Sequence, residues 1–294
     1  MSELHAILIA LAGFTAWVLA DTCAKFAGEM AIPPHETLGF IGWIGVTVLM
    51  LWGWRRGDVA ALRPRRLSQQ LLQSLIVTGN IFASVIAVKH LSLTVFYVIV
   101  FTAPILVAIL EIIFLRERLP WPKAMAILIG FIGVACTLSP WEQSATGDWI
   151  GYCAVAAGVA LFAIGQIYSR ALMRTESVIC TTFFSALMAA VVGSVLSLSQ
   201  FEPLSLATGA AVFGAGLFFL LGNFLNYLAL RHITATTVAQ FHYSQIIVGA
   251  AFGYLIWNDA PSWNLALGGG LIIAAGLYIL MQAAKTEKPT PVVG

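Results

Sequence analysis

The chain has 294 residues, of which 60% are hydrophobic and only 10% charged, where a soluble domain carries about 25% charged. So little charge cannot cover a water-soluble surface, and the mean hydropathy of +0.92 comes from many apolar stretches separated by short polar breaks, which excludes a soluble enzyme and a single-anchor protein. The net charge of +2 sits in those breaks, so it is a signal of membrane topology and gives no reason to expect nucleic acid as a partner.

Taken in chain order, the first run follows Met1-Ser2-Glu3-Leu4-His5, which has no basic region, and no small-residue cleavage site closes it. It is therefore expected to be a retained helix, Leu4 to Ala27, rather than a signal peptide. Helices are then expected over Glu36 to Trp54, Ser68 to Lys89, Ser92 to Leu115 and Trp121 to Ser139. A second set runs over Asp148 to Ala171, Ser177 to Ser199, Leu206 to Leu230, Thr234 to Trp257 and Trp263 to Gln282. Pro33-Pro34, Arg55-Arg56-Gly57-Asp58, Pro120, Pro140, Pro203 and Pro261 punctuate them. The runs are about twice the length of a barrel strand and do not alternate polar with apolar, so helices are expected over the alternative of strands. Cys23, Cys136, Cys153 and Cys180 lie singly inside apolar runs, as packing residues rather than a metal or disulfide set.

Basic residues accumulate in cytoplasmic loops. With the N-terminus inside, Arg55, Arg56, Arg63, Arg65, Arg66, Arg116, Arg118, Lys123, Arg170, Arg174 and Arg231 all fall on the inner side, and only Lys25 and Lys89 fall outside. Both termini are thus expected in the cytoplasm, with residues 283–294 as a short disordered tail.

An internal repeat relates the two sets. Ala87-Val88-Lys89-His90-Leu91 opens a span that ends near Arg116-Glu117-Arg118, and at one shared offset Ala229-Leu230-Arg231-His232-Ile233 opens a span that ends near Asn258-Asp259-Ala260. Gly79-Asn80 and Gly222-Asn223 match within one residue, and Trp17 with Lys25 parallels Phe162 with Arg170. Five helices per half is an odd number, so the second half enters the membrane upside down. The expected fold is an all-α integral membrane protein of ten transmembrane helices in two inverted five-helix repeats, residues 4–139 and 148–282, with a small-molecule substrate site near the midplane between them.

These residues resemble the bacterial drug/metabolite transporter superfamily, whose ten-helix members carry two EamA domains. The likeness covers Leu4 to Gln282 and rests on Ala16-Trp17, on Pro104, on Leu115-Arg116-Glu117-Arg118-Leu119 with Ala126 and Gly133 beyond it, and on a weaker second copy. Asp259 stands where Glu is usual, Ile246 where the first half has Pro104, and Val18 where a small residue usually follows the tryptophan. Overall the chain looks most like the YddG-type exporters of aromatic and other neutral amino acids. The resemblance implies a multi-pass protein of the inner membrane that exports such metabolites by alternating access, without a cofactor.

Ionisable and polar groups inside the spans are the site candidates, because each must find a partner or water. Asp21 and Lys25 lie four apart, either as an ion pair on one helix or with Asp21 facing a cavity; Glu111, beside Arg116 and Arg118, is expected in interfacial pairing. Trp17 with Asp21, Asn80 with Ser84, Phe162 with Gln166, and Asn223 with Tyr227 each share a helix face. Tyr97 and Phe101 precede Pro104, and His242, Gln245, Gly249 and Gly253 follow one another on the ninth span. Pro104, Gly249 and Gly253 are hinge or gate candidates, and the paired glycines, with Gly130, Gly133 and Gly268-Gly269-Gly270, are expected to let helices approach closely. The alternative for each polar residue is helix–helix hydrogen bonding, and His242 reads first as a satisfied core histidine, with a pH-sensitive contact as the alternative. Asp21 and His242 are the only proton-coupling candidates. An intramembrane enzyme or a channel are the rival readings, but no G-x-x-x-x-G-K-[ST], H-E-x-x-H or G-x-S-x-G motif and no ring of like charges is present. Nothing in the sequence specifies an oligomeric state.

Overall fold

A computed structural model describes residues 2–29, 33–90, 96, 99–116, 119–138, 149–198, 205–257 and 263–286. Among them no strand occurs. The first half contains α1 (Glu3–Glu29), α2 (Pro34–Arg56), α3 (Leu67–His90), α4 (Ala103–Leu110), which runs on as a wide turn over Glu111–Leu115, and α5 (Trp121–Leu138). The second contains α6 (Trp149–Leu172), α7 (Val178–Ser197), α8 (Leu206–His232), α9 (Ala235–Gln240), α10 (Ser244–Trp257) and α11 (Trp263–Thr286). Five segments, Glu3–Cys23, His35–Arg56, α6, α7 and α8, are long and apolar enough to cross a membrane.

Helix ends follow the expected chemistry. Proline at the start of α2 occupies a position whose N–H needs no partner, and Gly57 at φ +66° closes the helix in the left-handed region. Side-chain oxygens of Ser177, Ser205 and Thr234 accept from the backbone N–H groups of Cys180, Thr208 and Thr237, capping α7, α8 and α9.

Three expectations change. The ninth span is not one helix: α9 ends at Gln240, a tighter 3₁₀ turn covers Phe241–Tyr243, and α10 starts afresh at Ser244. The fourth span is broken too, by a turn at Phe101 and Thr102, and Pro104 lies in the first turn of α4, where its missing N–H is not needed. It therefore marks a new start rather than a kink within a continuous helix. Residues 283–286 extend α11, so the part of the expected tail that is described is helical.

The main packing joins the halves. Helix α1 lies on α8, α2 on α7, α3 on α6 and α5 on α11, with α4 on α6 and α10 on α1 as further pairs. Small residues set the spacing at three crossings. A Cβ on Gly193 would run into the backbone of Gly39, one on Gly268 into Gly133 and Thr137, and one on Gly222 into the indole of Trp17. Gly249 is a correction: a Cβ there would meet nothing within 4 Å, so no close approach requires glycine at that position. The side-chain side of Gly253 lies outside the described residues. The largest core cluster, including Ile7, Phe14, Val107, Ile167, Leu230 and Val238, draws on both halves.

A candidate substrate site between the halves

The two helix breaks meet at one histidine. His242, in the turn between α9 and α10, lies between two phenylalanine rings, Phe14 of α1 at 5.4 Å and Phe162 of α6 at 5.0 Å, inclined by 25° and 26°. Phe101, in the turn before α4, meets the imidazole edge-on at 5.3 Å. Trp17 continues the aromatic stripe on α1, at 5.2 Å and nearly perpendicular to Phe14. Spans from both halves thus build one aromatic cluster at the level where two helices are interrupted. Aromatic contacts of this kind contribute about 0.5–1.5 kcal/mol each beyond their area.

Polar atoms around this cluster lack partners among the described residues. Trp17 Nε1, His242 Nδ1, Tyr243 Oη, Asn226 Oδ1 and both amide atoms of Gln240 are buried there without a hydrogen bond. Each such group costs about 1–3 kcal/mol. Native proteins leave few of them, and water or a ligand is the usual explanation. Gln166 accepts weakly from Asn226 Nδ2 at 3.4 Å. Gln245, half-buried in the first turn of α10, has no hydrogen-bond partner among the described residues.

Other expected site residues are used by the protein itself. Asn80 donates to the carbonyl of Gly158 at 2.8 Å, tying α3 to α6, and Ser84 faces the same glycine. Asn223 donates to Phe219 O on its own helix at 3.1 Å. Tyr227 is a correction. Its hydroxyl is buried, accepts from Gln73 Nε2 at 2.7 Å and is hydrogen-bonded to Ser185 at 2.9 Å, so it belongs to a closed network linking α3, α7 and α8. Gln70 and Gln73, fully buried in that region, escaped the sequence reading, although two glutamines three apart in an apolar span were visible. Tyr97 lies outside the described residues.

Glu111 is also a correction. Its carboxylate is buried and accepts from Ala235 N at 2.6 Å and Thr236 N at 2.9 Å, capping α9 from the opposite half; it makes no ion pair with Arg116, and Arg118 lies outside the described residues. Close by, Lys123 Nζ reaches Thr237 Oγ1 at 2.9 Å and Glu3 at 3.7 Å. The start of α1, the end of the α4 turn, the start of α5 and the start of α9 are therefore drawn together at one face of the bundle. On that face Glu176 also accepts from the backbone of Arg65 and Arg66, and Arg170 donates to Leu230 O.

Asp21 lies toward the other end of α1. Its side chain is exposed, on the face that carries Ile7, Ala10 and Phe14 and away from the exposed Leu8 and Ala12. It forms no hydrogen bond or ion pair among the described residues, and the side chain of Lys25 lies outside them. The described polar contacts thus gather at the N-terminal face, while Asp21 lies exposed on the far side of the aromatic cluster.

Known proteins give this geometry a family. The model of the EamA-like transporter family matches residues 4–139 and again 149–281. The S-adenosylmethionine uptake transporter of Rickettsia bellii is 28% identical over 64% of this chain, which spans 64% of that protein's length. The riboflavin transporter of Brucella anthropi is 22% identical over 95% of this chain and 99% of its own, and the pseudopaline exporter CntI of Pseudomonas aeruginosa 27% identical over 95% and 96%. A protein of known crystal structure, 20% identical, superposes with a TM-score of 0.80 over 97% of this chain and 99% of its own, a likeness of fold alone. A family model that covers both halves places the chain as a multi-pass membrane protein of the EamA-like transporter family.

Proposed function

We propose that this protein is a secondary transporter that carries small ring-bearing amphiphiles, aromatic and other neutral amino acids among them, by alternating access between two inverted five-helix repeats. The observation that carries the reading is the pair of helix breaks, Phe101–Thr102 and Phe241–Tyr243, meeting at an aromatic cluster whose neighbouring polar atoms have no hydrogen-bond partner among the described residues. Discontinuous helices expose backbone and side-chain groups at mid-membrane only where these line a cavity. The pairing supports the repeat: α1 on α8 mirrors α6 on α3, α4 on α6 mirrors α10 on α1, and α2 on α7 pairs with itself.

Among the named cargoes of the relatives, S-adenosylmethionine and riboflavin are each built around a flat heteroaromatic ring, which suits a cluster of Phe14, Phe101, Phe162 and His242. One relative is named for uptake and another for export, so the scaffold serves either direction. Outward movement follows for metabolites made inside the cell if the substrate's own gradient drives transport. The gathering of Arg65, Arg66, Arg170, Arg174 and Lys123 near the face closed by Glu111 supports a cytoplasmic location for that face in the inner membrane. On this reading the contacts of Glu111 and Glu176 belong to a state closed to the cytoplasm. Membership of a transporter family sets the enzyme reading aside.

Counterflow of labelled phenylalanine, tryptophan and threonine in reconstituted vesicles, with a nucleotide-sugar as control, tests the proposal. Saturable exchange of the aromatic amino acids is the expected result. Exchange of the nucleotide-sugar alone contradicts the substrate class, and non-saturable flux contradicts a carrier.

A further inference from the structure

We infer that Asp21 recognises a positively charged group, so that preferred cargo pairs a cation with its aromatic ring and anions are rejected. This deepens the carrier reading and rests on it.

Phe14, Trp17 and Asp21 fall at i, i+3 and i+7 on α1, within about 60° of one another around the axis, and Asp21 is about 10 Å further along than Phe14. Phe14 stacks on His242, Trp17 stands edge-on to Phe14, and Asp21 ends the stripe with an accessible carboxylate. The exposed Ala12 lies on the opposite side of the helix, so the accessibility of Asp21 is that of an inward face.

Among the described residues, the helices packed on α1 place no Lys or Arg at the level of Asp21. Helix α10 has no charged residue, and Arg231 of α8, Lys285 of α11 and Arg55 and Arg56 of α2 all stand in last turns, toward the end where α1 begins. Lys25 is the one Lys or Arg of α1, its side chain lies outside the described residues, and Asp21 makes no ion pair among them. A carboxylate at that depth with no partner among the described residues is stabilised by water, and an incoming cation replaces that water with a full opposite charge. The adjoining indole of Trp17 adds a ring face that attracts cations. An anion of the same shape would be repelled by the Asp21 carboxylate.

The experiment uses the purified full chain in vesicles and three indoles that differ in charge: the trimethylammonium derivative of tryptamine, tryptophan, and indole-3-acetate. The permanent charge of the first separates cation recognition from proton uptake. The wild-type protein is expected to carry the cation and tryptophan and to carry indole-3-acetate poorly. Asp21→Asn should reduce cation transport by about tenfold or more while reducing tryptophan transport less, and Asp21→Glu should restore the cation. Equal loss of all three probes in Asp21→Asn, unchanged cation transport, or a wild-type protein that carries indole-3-acetate as well as the cation would each overturn the assignment. If wild-type protein of normal yield and monodispersity moves none of the probes, the carrier reading falls first and this inference falls with it.

Discussion

The face closed by Glu111 and the middle of the bundle use the same polar residue types to opposite ends. At the closed face, carboxylates meet backbone N–H groups: Glu111 binds the start of α9 and Glu176 binds Arg65 and Arg66, all at 2.6–3.1 Å. Around His242, the buried amide of Gln240, the indole N–H of Trp17 and the imidazole Nδ1 have no hydrogen-bond partner among the described residues, and beyond them Asp21 is exposed and likewise unpaired among those residues. Satisfied groups hold one arrangement of the helices, whereas unsatisfied groups are stabilised by whatever enters. A carrier needs both, one to keep one side shut and the other to bind.

The largest expected effect comes from breaking the closed end. Replacing Glu111 by Ala leaves two amides of α9 without their charged acceptor, a loss of about 2–3 kcal/mol, or about thirtyfold or more in the balance between closed and open forms. A single cysteine at Thr237 should then react faster with an impermeant thiol reagent applied from the N-terminal face. Unchanged reactivity would show that the Glu111 contact does not hold this end.

Next in size is a packing contrast. Gly222→Val drives a side chain into the Trp17 indole and should lower stability by about 1–3 kcal/mol in a thermal unfolding assay in detergent. Gly249→Ala meets nothing and should be neutral, or stabilising by up to about 1 kcal/mol. Equal destabilisation by both would remove the distinction between a crossing glycine and an open one.

At the aromatic cluster, Phe162→Leu keeps the bulk but removes one ring from His242. A loss of about 0.5–1.5 kcal/mol corresponds to about two- to tenfold weaker binding of ring-bearing cargo, read as the half-saturation concentration of counterflow, with expression unchanged. The smallest effect is expected for Lys123→Met. Its contact with Glu3 spans 3.7 Å between partly exposed side chains, and such pairs contribute about 1 kcal/mol or less. A change in transport rate beyond about fivefold would give Lys123 a larger part in closure than this geometry supports.

Much of the architecture was legible because long apolar runs must become helices in a membrane and because Pro33, Pro34 and Gly57 mark ends by their own backbone chemistry. The break at Phe241–Tyr243 was not, since neither Pro nor Gly stands there. It is held by tertiary contacts: Tyr243 fills the space beside Gly130, and His242 lies between rings from α1 and α6. Of the aromatic cluster, Trp17, Phe101, Phe162 and His242 stood out by helical spacing, whereas Phe14, which stacks on His242, did not, because it reads as one more apolar residue of its helix. The amides were less so, because spacing shows which face a residue shares and not whether a carbonyl waits opposite, as Gly158 does for Asn80. Glu111 misled because its nearest charges in sequence are arginines, while its partners are amides more than a hundred residues away.

One measurement bears most directly on a cavity that binds cargo between the halves and is shut at the N-terminal face. In a variant lacking the four native cysteines, Gln245→Cys is treated with an impermeant thiol reagent from each side of the membrane, with and without tryptophan. The account predicts faster labelling from the side away from the N-terminus, slowed by tryptophan. Faster labelling from the N-terminal side, or no protection by tryptophan, contradicts it.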